Sequence, residues 1–355
     1  MSLTRRSLIA TAATAGLGSQ AVAQGATPVP ATPVKALPKI ALEEHFITPP
    51  LLPYLLQALP KVTADEKATL LRRLADFGDE RLAAMDAAGV TKSVLSVSGP
   101  GVQIEKDTNT ATRLAAQAND VLATEIAKHP NRYAGFAHVA MQDPKAAADE
   151  LERCVRDLKF CGVMINHHTN GVYLDAPGND VFWERLQALN VPLYLHPGDA
   201  FVMPHVLGGV PELDKPVWEW TTETSTHALR LIVTGVFDRF PRAQVILGHA
   251  GETLPYMLWR LDSRYALTET DRRIKLPPSD YIRRNIAITL SGQFDEVPLQ
   301  AAVAALGADR VLFSIDYPYE DSVTAGRFMD AAKLPDAQRL AVASGNAERM
   351  LRIKA

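Results

Sequence analysis

Apolar runs in this chain stop repeatedly at a histidine or an acid. Lys39-Ile-Ala-Leu-Glu-Glu-His45, Gly162-Val-Met-Ile-Asn-His167, Val191-Pro-Leu-Tyr-Leu-His196, Val245-Ile-Leu-Gly-His249 and Val311-Leu-Phe-Ser-Ile-Asp316 each end in His or Asp, just before a turn-like segment. Glu43 and His45 are two apart on an extended run, so they leave on one face and Glu44 on the other. A carboxylate beside a neutral imidazole suits Zn2+ or Mn2+, although Glu-x-His alone also describes a solvated strand end. His196 is followed by Pro197-Gly198, which stops its run and exposes the imidazole as a candidate ligand. Asp316, with Pro318 two residues on, reads as a metal ligand or a general acid/base rather than a helix N-cap. His249 sits in Leu247-Gly-His-Ala-Gly-Glu252, where flanking glycines permit close backbone approach. Glu252 is within reach to orient that imidazole, or is an acid in the first turn of a helix.

The remaining histidines divide. His138 and His167 end the third and fourth runs and are equally suited to lining a pocket or to the core. His129, His168 and His205 read as loop or surface residues, and His227 as structural or interfacial within a helical run.

These residues lie far apart in sequence and need a scaffold that gathers them. Eight β-type runs, near 39–45, 92–98, 133–140, 161–167, 191–196, 244–249, 285–291 and 311–316, are nearly continuously apolar, as strands covered on both faces are. Amphipathic stretches separate them, among them Asp79–Ala88, Thr108–Lys128, Pro144–Leu158 and Asp180–Leu189. The alternation predicts a (β/α)8 TIM barrel over 39–355, which brings strand ends together at one face. Two long connections, from Ile47 to about Val90 and from Pro197 to about Thr222, are placed to shape a pocket, the second with Met203, Trp218 and Trp220. Thr48-Pro-Pro-Leu-Leu-Pro is not expected to be regular helix. Helices near Pro335–Ala343 and Ala347–Ile353 are expected on the barrel exterior.

Composition bounds the function. With 47% hydrophobic and 22% charged residues the 355-residue chain is of the globular class, and a net charge of -3 without a basic block gives nucleic acid no electrostatic footprint. Thr4-Arg5-Arg6-Ser7-Leu8, a weakly apolar run and Ala21-Val22-Ala23 form a twin-arginine signal pattern, residues 1–23, followed by a Pro/Ala/Thr-rich linker over 24–38. Removal of the signal takes the charge to -5 and predicts a periplasmic or secreted protein with no membrane association afterwards. Cys154 and Cys161 read as buried free thiols; two cysteines cannot build a four-thiolate zinc site.

Lys39-Ile-Ala-Leu-Glu-Glu-His-Phe46, Thr226-His-Ala-Leu-Arg-Leu through Gly248-His-Ala-Gly-Glu-Thr-Leu-Pro-Tyr and Trp259-Arg-Leu-Asp262, and Asp309-Arg-Val-Leu-Phe-Ser-Ile-Asp-Tyr-Pro318 resemble the amidohydrolase-superfamily decarboxylases. This is the aminocarboxymuconate semialdehyde decarboxylase family, and the γ-resorcylate and 2,3-dihydroxybenzoate branch is most similar. The resemblance covers 38–353 and implies a barrel of the metal-dependent hydrolase type. It implies that Glu43, His45, His196 and Asp316 bind one divalent ion, Zn2+ or Mn2+, that Asp316, His249 and Glu252 are catalytic, and that Arg260 binds substrate. It implies a homo-oligomer, dimer or tetramer, and non-oxidative decarboxylation of a hydroxylated aromatic acid such as a dihydroxybenzoate. Metal-assisted hydrolysis of a lactone, amide or ester on the same barrel is the alternative, and a non-catalytic binding protein a third. The chain departs from the branch at Tyr317, where Trp is common, at His138 and His167, where small residues are usual, and in its export signal.

Overall fold

The computed structural model describes residues 37–355 apart from residue 272. The expected signal, 1–23, and nearly all of the linker lie outside the described residues.

Eight strands, β1 (Lys39–Phe46), β2 (Val90–Val97), β3 (Tyr133–Ala137), β4 (Gly162–Asn166), β5 (Leu193–His196), β6 (Val245–Leu247), β7 (Ile286–Thr289) and β8 (Val311–Leu312), form one parallel sheet in sequential order. Helices fill the crossovers, and the architecture is TIM-barrel-like α/β. The sheet's two edges meet. His45 N–H donates to Tyr317 O at 2.7 Å, Asp316 N–H to Glu43 O at 3.1 Å, and Ser314 Oγ accepts from the N–H of Leu42 (3.2 Å) and Glu43 (2.6 Å).

Inward-facing side chains form layers. Ile40, Leu42, Val94, Phe136, Met164, Ile246, Ala287 and Leu312 make a buried apolar plug within the sheet. Two residues further along the strands the inward positions turn polar: Ser96, Asn166, His196, Thr289 and Ser314. The site lies beyond this change, at the carboxyl ends of the strands. On β1 strict alternation would send Glu44 inward after Ile40 and Leu42. A register shift between Ala41 and Glu44 re-phases the strand, so Glu43 and His45 face inward.

The helices over 79–88, 108–128 and 180–189 match the sequence expectation, and the third crossover helix ends at Arg156. Asp107 and Asp143 start two of them, their carboxylates accepting from Thr110 N (2.8 Å) and from Lys145 N and Ala146 N (both 3.0 Å). Three expectations are corrected. The strands from β3 to β8 are shorter than the apolar runs, so His138, His167, His249 and Asp316 lie just past them; His167 (φ 68°), His249 (φ 48°) and Asp316 (φ 80°) have left-handed backbones that end the extended geometry. The Pro-rich stretch after β1 becomes a 3-10 turn, Pro49–Leu51, and a short helix, Leu52–Ala58, because proline is tolerated in a first turn. The last helix, Asn346–Leu351, is not on the exterior: Ala347 and Leu351 join the apolar plug, and Asn346 Nδ2 donates to Ala308 O (2.7 Å) and Val311 O (2.8 Å). Cys154 and Cys161 are buried and free. No described helix is long and apolar enough to cross a membrane.

Candidate metal and active site

Glu43, His45, His196 and Asp316 converge at the mouth of the barrel, each offering a ligand atom, all within 4.8 Å of one another. Nε2 of His45 is 3.2 Å from Asp316 Oδ1, and Nε2 of His196 is 3.3 Å from Glu43 Oε1. Two of these atoms, Glu43 Oε1 and His45 Nε2, are buried without a hydrogen-bond partner among the described residues. Buried polar atoms left in that state are costly. Two imidazole nitrogens and two carboxylates around them fit one divalent ion of the Zn2+ or Mn2+ type.

The neighbours orient those lone pairs. His196 Nδ1–H donates to Pro197 O at 2.8 Å, and His45 Nδ1 lies 3.3 Å from Ser96 Oγ, which turns both Nε2 atoms inward. Burial, with His45 adding to it, lowers His196 to about 3; burial, with Arg81 and His249 adding to it against Glu43, lowers His45 to about 4. Both rings are therefore neutral and ligand-competent at pH 7. Glu43 Oε2 accepts from Tyr194 OH at 2.5 Å, and Tyr194 OH is 2.8 Å from Thr289 Oγ1. A Cβ at Gly248 would come within 2.8 Å of Glu43 Oε2 and 3.2 Å of Tyr194 OH, so only glycine leaves room for this carboxylate. Behind the cluster the buried Arg81 donates to His45 O at 2.6 Å and lies over the Tyr317 ring at 4.6 Å, gripping the segments that carry His45 and Asp316.

His249 faces the same centre, its Nε2 3.7 Å from Glu43 Oε1, and its Nδ1–H donates to Ser291 O at 3.0 Å. Burial opposes its charge, but Glu43, Glu252 and Asp316 outweigh burial and raise it to about 9. Burial lifts Asp316 to about 6 and Glu252 to about 7, each opposed by His249. The turn holding these residues is unusual: His249, Ala250, Gly251, Glu252 and Thr253 all have positive φ. Neither the helix N-terminus nor the simple strand end expected from sequence describes it. Left-handed geometry at four non-glycine residues costs on the order of 1 kcal/mol or more each, which points to a functional constraint.

The cluster opens into a cavity of about 610 Å3, whose lining includes His167, His196, His249, Glu252 and Asp316. Some expected residues are elsewhere. Arg260 is exposed on the helix Leu258–Tyr265 and does not line the cavity; nor do Met203 and Trp218, whereas Trp220 does. His138 is buried and accepts from Val102 N at 3.1 Å, a structural role. His227 is buried and structural too, while His168, expected on the surface, is buried at the cavity wall. Sequence reading missed Tyr194, Ser96 and Arg81; Tyr194 carried a signal, because it shares the inward face with His196 two residues on.

The amidohydrolase family model matches residues 38–353. γ-Resorcylate decarboxylase of Rhizobium sp. (strain MTP-10005) is 40% identical over 330 residues, 89% of this chain and 98% of the relative. A crystal structure of dihydroxybenzoic acid decarboxylase from Polaromonas sp. JS666, with bound manganese and the inhibitor 2-nitroresorcinol, is 39% identical with TM-score 0.84, covering 90% of this chain and 98% of that one. That of 5-carboxyvanillate decarboxylase from Sphingomonas paucimobilis is 38% identical with TM-score 0.83, covering 90% and 100%. With the fold, the donor set and these likenesses in agreement, the chain belongs to the amidohydrolase family.

Proposed function

We propose that this chain is a metal-dependent carboxy-lyase that removes CO2, without oxidation, from a hydroxylated aromatic acid such as a dihydroxybenzoate. One observation carries the reading: four ligand-type side chains converge at the base of a cavity that His196, Asp316 and His249 line, in a chain 40% identical to γ-resorcylate decarboxylase. A bound Zn2+ or Mn2+ would supply Lewis-acid contacts for the substrate carboxylate and an ortho oxygen.

The chain's residues supply the rest. Direct loss of CO2 would leave a carbanion in the ring plane, whereas protonating the carboxyl-bearing carbon first lets the ring electrons accept the charge. Asp316 has one oxygen turned to His45 and a second to pass that proton to the ring; a bound ion would favour its carboxylate form, so His249 or the substrate itself supplies the proton. The proton bonds to the ring carbon, the C–C bond breaks, CO2 departs and aromaticity returns. His249 lines the cavity and is placed to donate from Nε2 to the substrate carboxylate, with the Glu252 carboxylate beside it to support that charge. The test is CO2 release from 2,6-dihydroxybenzoate by metal-loaded and metal-stripped protein. Turnover should vanish on stripping and return with Zn2+ or Mn2+. Hydrolysis of lactones or esters without any CO2 release would overturn the reading.

Export by the twin-arginine route is part of the same proposal and rests on Arg5-Arg6 and Ala21-Val22-Ala23. Fractionation should find a shortened chain outside the cytoplasm. A homo-oligomer, dimer or tetramer, is proposed because the large apolar side chains of Tyr256, Met257 and Trp259, the last 85% exposed, are all uncovered in the short stretch that holds Arg260. Light scattering on the purified protein measures it.

A further inference from the structure

Four arginines gather at the opposite end of the strands from the metal cluster. Arg242 comes just before β6 and Arg310 just before β8, while Arg349 lies in the last helix and Arg352 at its end. Together with Gln244 they line a depression of about 340 Å3. Among the described residues no acid lines it, although the chain has 37 basic and 40 acidic residues and is negative as a whole. Like charges gathered in one place repel one another, and no carboxylate of the depression offsets them.

Two of the arginines are fixed and two are unspent. Arg310 is half-buried; its Nε donates to Ile286 O at 3.1 Å, and its Nη2 to Gln244 Oε1 at 2.9 Å and Arg284 O at 2.8 Å. Those bonds tie it to the starts of β6 and β7 and leave Nη1 without a partner among the described residues. Arg349 Nη2 donates to Asp309 O at 2.6 Å and to Asn346 Oδ1 at 3.3 Å, which leaves its Nε and Nη1. Arg242 and Arg352 are exposed, and their guanidinium groups have no hydrogen-bond or ion-pair partner among the described residues. Arg352 also ends its helix with φ 55°, a left-handed cap where glycine is the usual residue.

The acid that acts on this group faces elsewhere. A Cβ at Gly307 would come within 2.7 Å of Asp309 Oδ1, so that carboxylate turns back toward its own loop and does not line the depression. Burial, with Arg349 adding to it against Asp309, holds Arg310 below the usual guanidinium range. Guanidinium groups grip carboxylate and phosphate oxygens as forks. A fixed pair loses little freedom on doing so, and a free pair can close over what it holds. Four such groups facing no acid are matched better by a small dianion than by a single negative charge.

We propose that the depression lined by Arg242, Arg310, Arg349 and Arg352 is a binding site for a phosphate dianion, either inorganic phosphate or the head of a phosphate monoester. It lies apart from the metal cluster and does not depend on the carboxy-lyase reading. The test is calorimetry of the metal-loaded full chain with inorganic phosphate and with glycerol phosphate, against acetate at equal ionic strength. Phosphate should bind and raise the melting temperature, because a ligand of the folded state stabilises it, and acetate should do neither. Arg242→Gln with Arg352→Gln should weaken phosphate binding by about tenfold or more, since charged hydrogen bonds are lost. These side chains touch no other group, so the melting temperature in phosphate-free buffer should stay the same. Phosphate drawn to the metal ion would survive in the double variant, so the difference between the two proteins is the readout. Sedimentation with phosphatidic acid vesicles separates the sources: arginine-dependent pelleting assigns a lipid headgroup, and binding of soluble phosphate alone assigns a free one. Equal phosphate binding in the double variant, or acetate binding as well as phosphate, overturns the site. So does a failure to bind phosphate in either form. If that failure came with a smaller assembly of the double variant in light scattering, an acidic surface of a second copy would be what covers the arginines.

Discussion

Two histidine-rich clusters lie side by side at the mouth of the barrel, built from the same residue types, and they do different things. In the first, Glu43, His45, His196 and Asp316 point their ligand atoms at a common centre and leave two of them unspent. In the second, His167, His227, Glu223 and Tyr173 are paired with one another, His167 Nε2 by a contact with Glu223 that is not a full hydrogen bond, and their atoms do not point at a common centre. Leu174 N–H donates to His227 Nε2 at 3.0 Å, so the His227 proton sits on Nδ1, 3.4 Å from His167 Nδ1. The His167 proton is then on Nε2, 3.3 Å from Glu223 Oε1, and Tyr173 OH also bonds Glu223. Among the described residues, only the first cluster has convergent ligand atoms. Residue type is shared; what distinguishes a metal site is lone pairs that the protein orients and does not itself satisfy.

The comparison breaks most sharply at the chemistry. Asp316→Asn should lower turnover by about 10³-fold, because the amide can neither ligate as an anion nor deliver the proton. Glu43→Gln should empty the site, read as metal content by elemental analysis. Near-normal activity in Asp316→Asn would mean that the proton comes from elsewhere. Gly248→Ala is the subtler version: a methyl group within 2.8 Å of Glu43 Oε2 must displace that carboxylate, and metal affinity should fall by about 10- to 100-fold with little change in fold. Equal metal affinity in the alanine variant would show that Glu43 has freedom to move.

Much of the first cluster was legible in the sequence, and most of the second was not. Glu43, His45, His196 and Asp316 each close an apolar run, and eight such runs imply a face where they meet. The re-phasing of β1 was hidden, since Ile40, Leu42 and Glu44 form an equally good period-two pattern and only the register shift chooses between them. The left-handed turn over 249–253 was hidden for a related reason: Ala250 and Thr253 are not residue types that announce positive φ. His168 looked like a surface residue because its partners, Gly171 N and Asp199 O, are backbone groups, which sequence does not display. Arg260 is the opposite case: its motif was recognised, and within one chain it lies outside the cavity lining.

The second cluster gives a smaller effect of another kind. His227→Ala removes the acceptor for a buried N–H and leaves a void, so stability should fall by roughly 2 to 4 kcal/mol in denaturant unfolding. Metal content should be unchanged. Loss of metal in this variant would join the two clusters energetically and undo the distinction between them.

The smallest effect separates structural histidines from ligand histidines by pH. His138 is buried, and burial lowers it from 6.5 to about 4. Below pH 6.5 the unfolded chain takes up a proton that the folded one refuses, so His138's contribution to stability is complete above 6.5 and declines as pH falls toward 4. Below about 4 the folded state is protonated as well and the decline from this residue stops. The whole loss is at most about 3 kcal/mol. His45, His168, His196 and His227 are lowered in the same direction, so the wild-type slope is a sum. The informative measurement is the difference between wild type and His138→Gln, whose amide can still accept from Val102 N. That difference should grow only between pH 6.5 and 4 and should be the same with and without metal. A bound ion would itself hold His45 and His196 neutral, so a comparable difference at those positions should depend on metal. If the His138 difference also changed with metal, the segment after β2 that holds Val102 would be coupled to the metal cluster and not merely beside it.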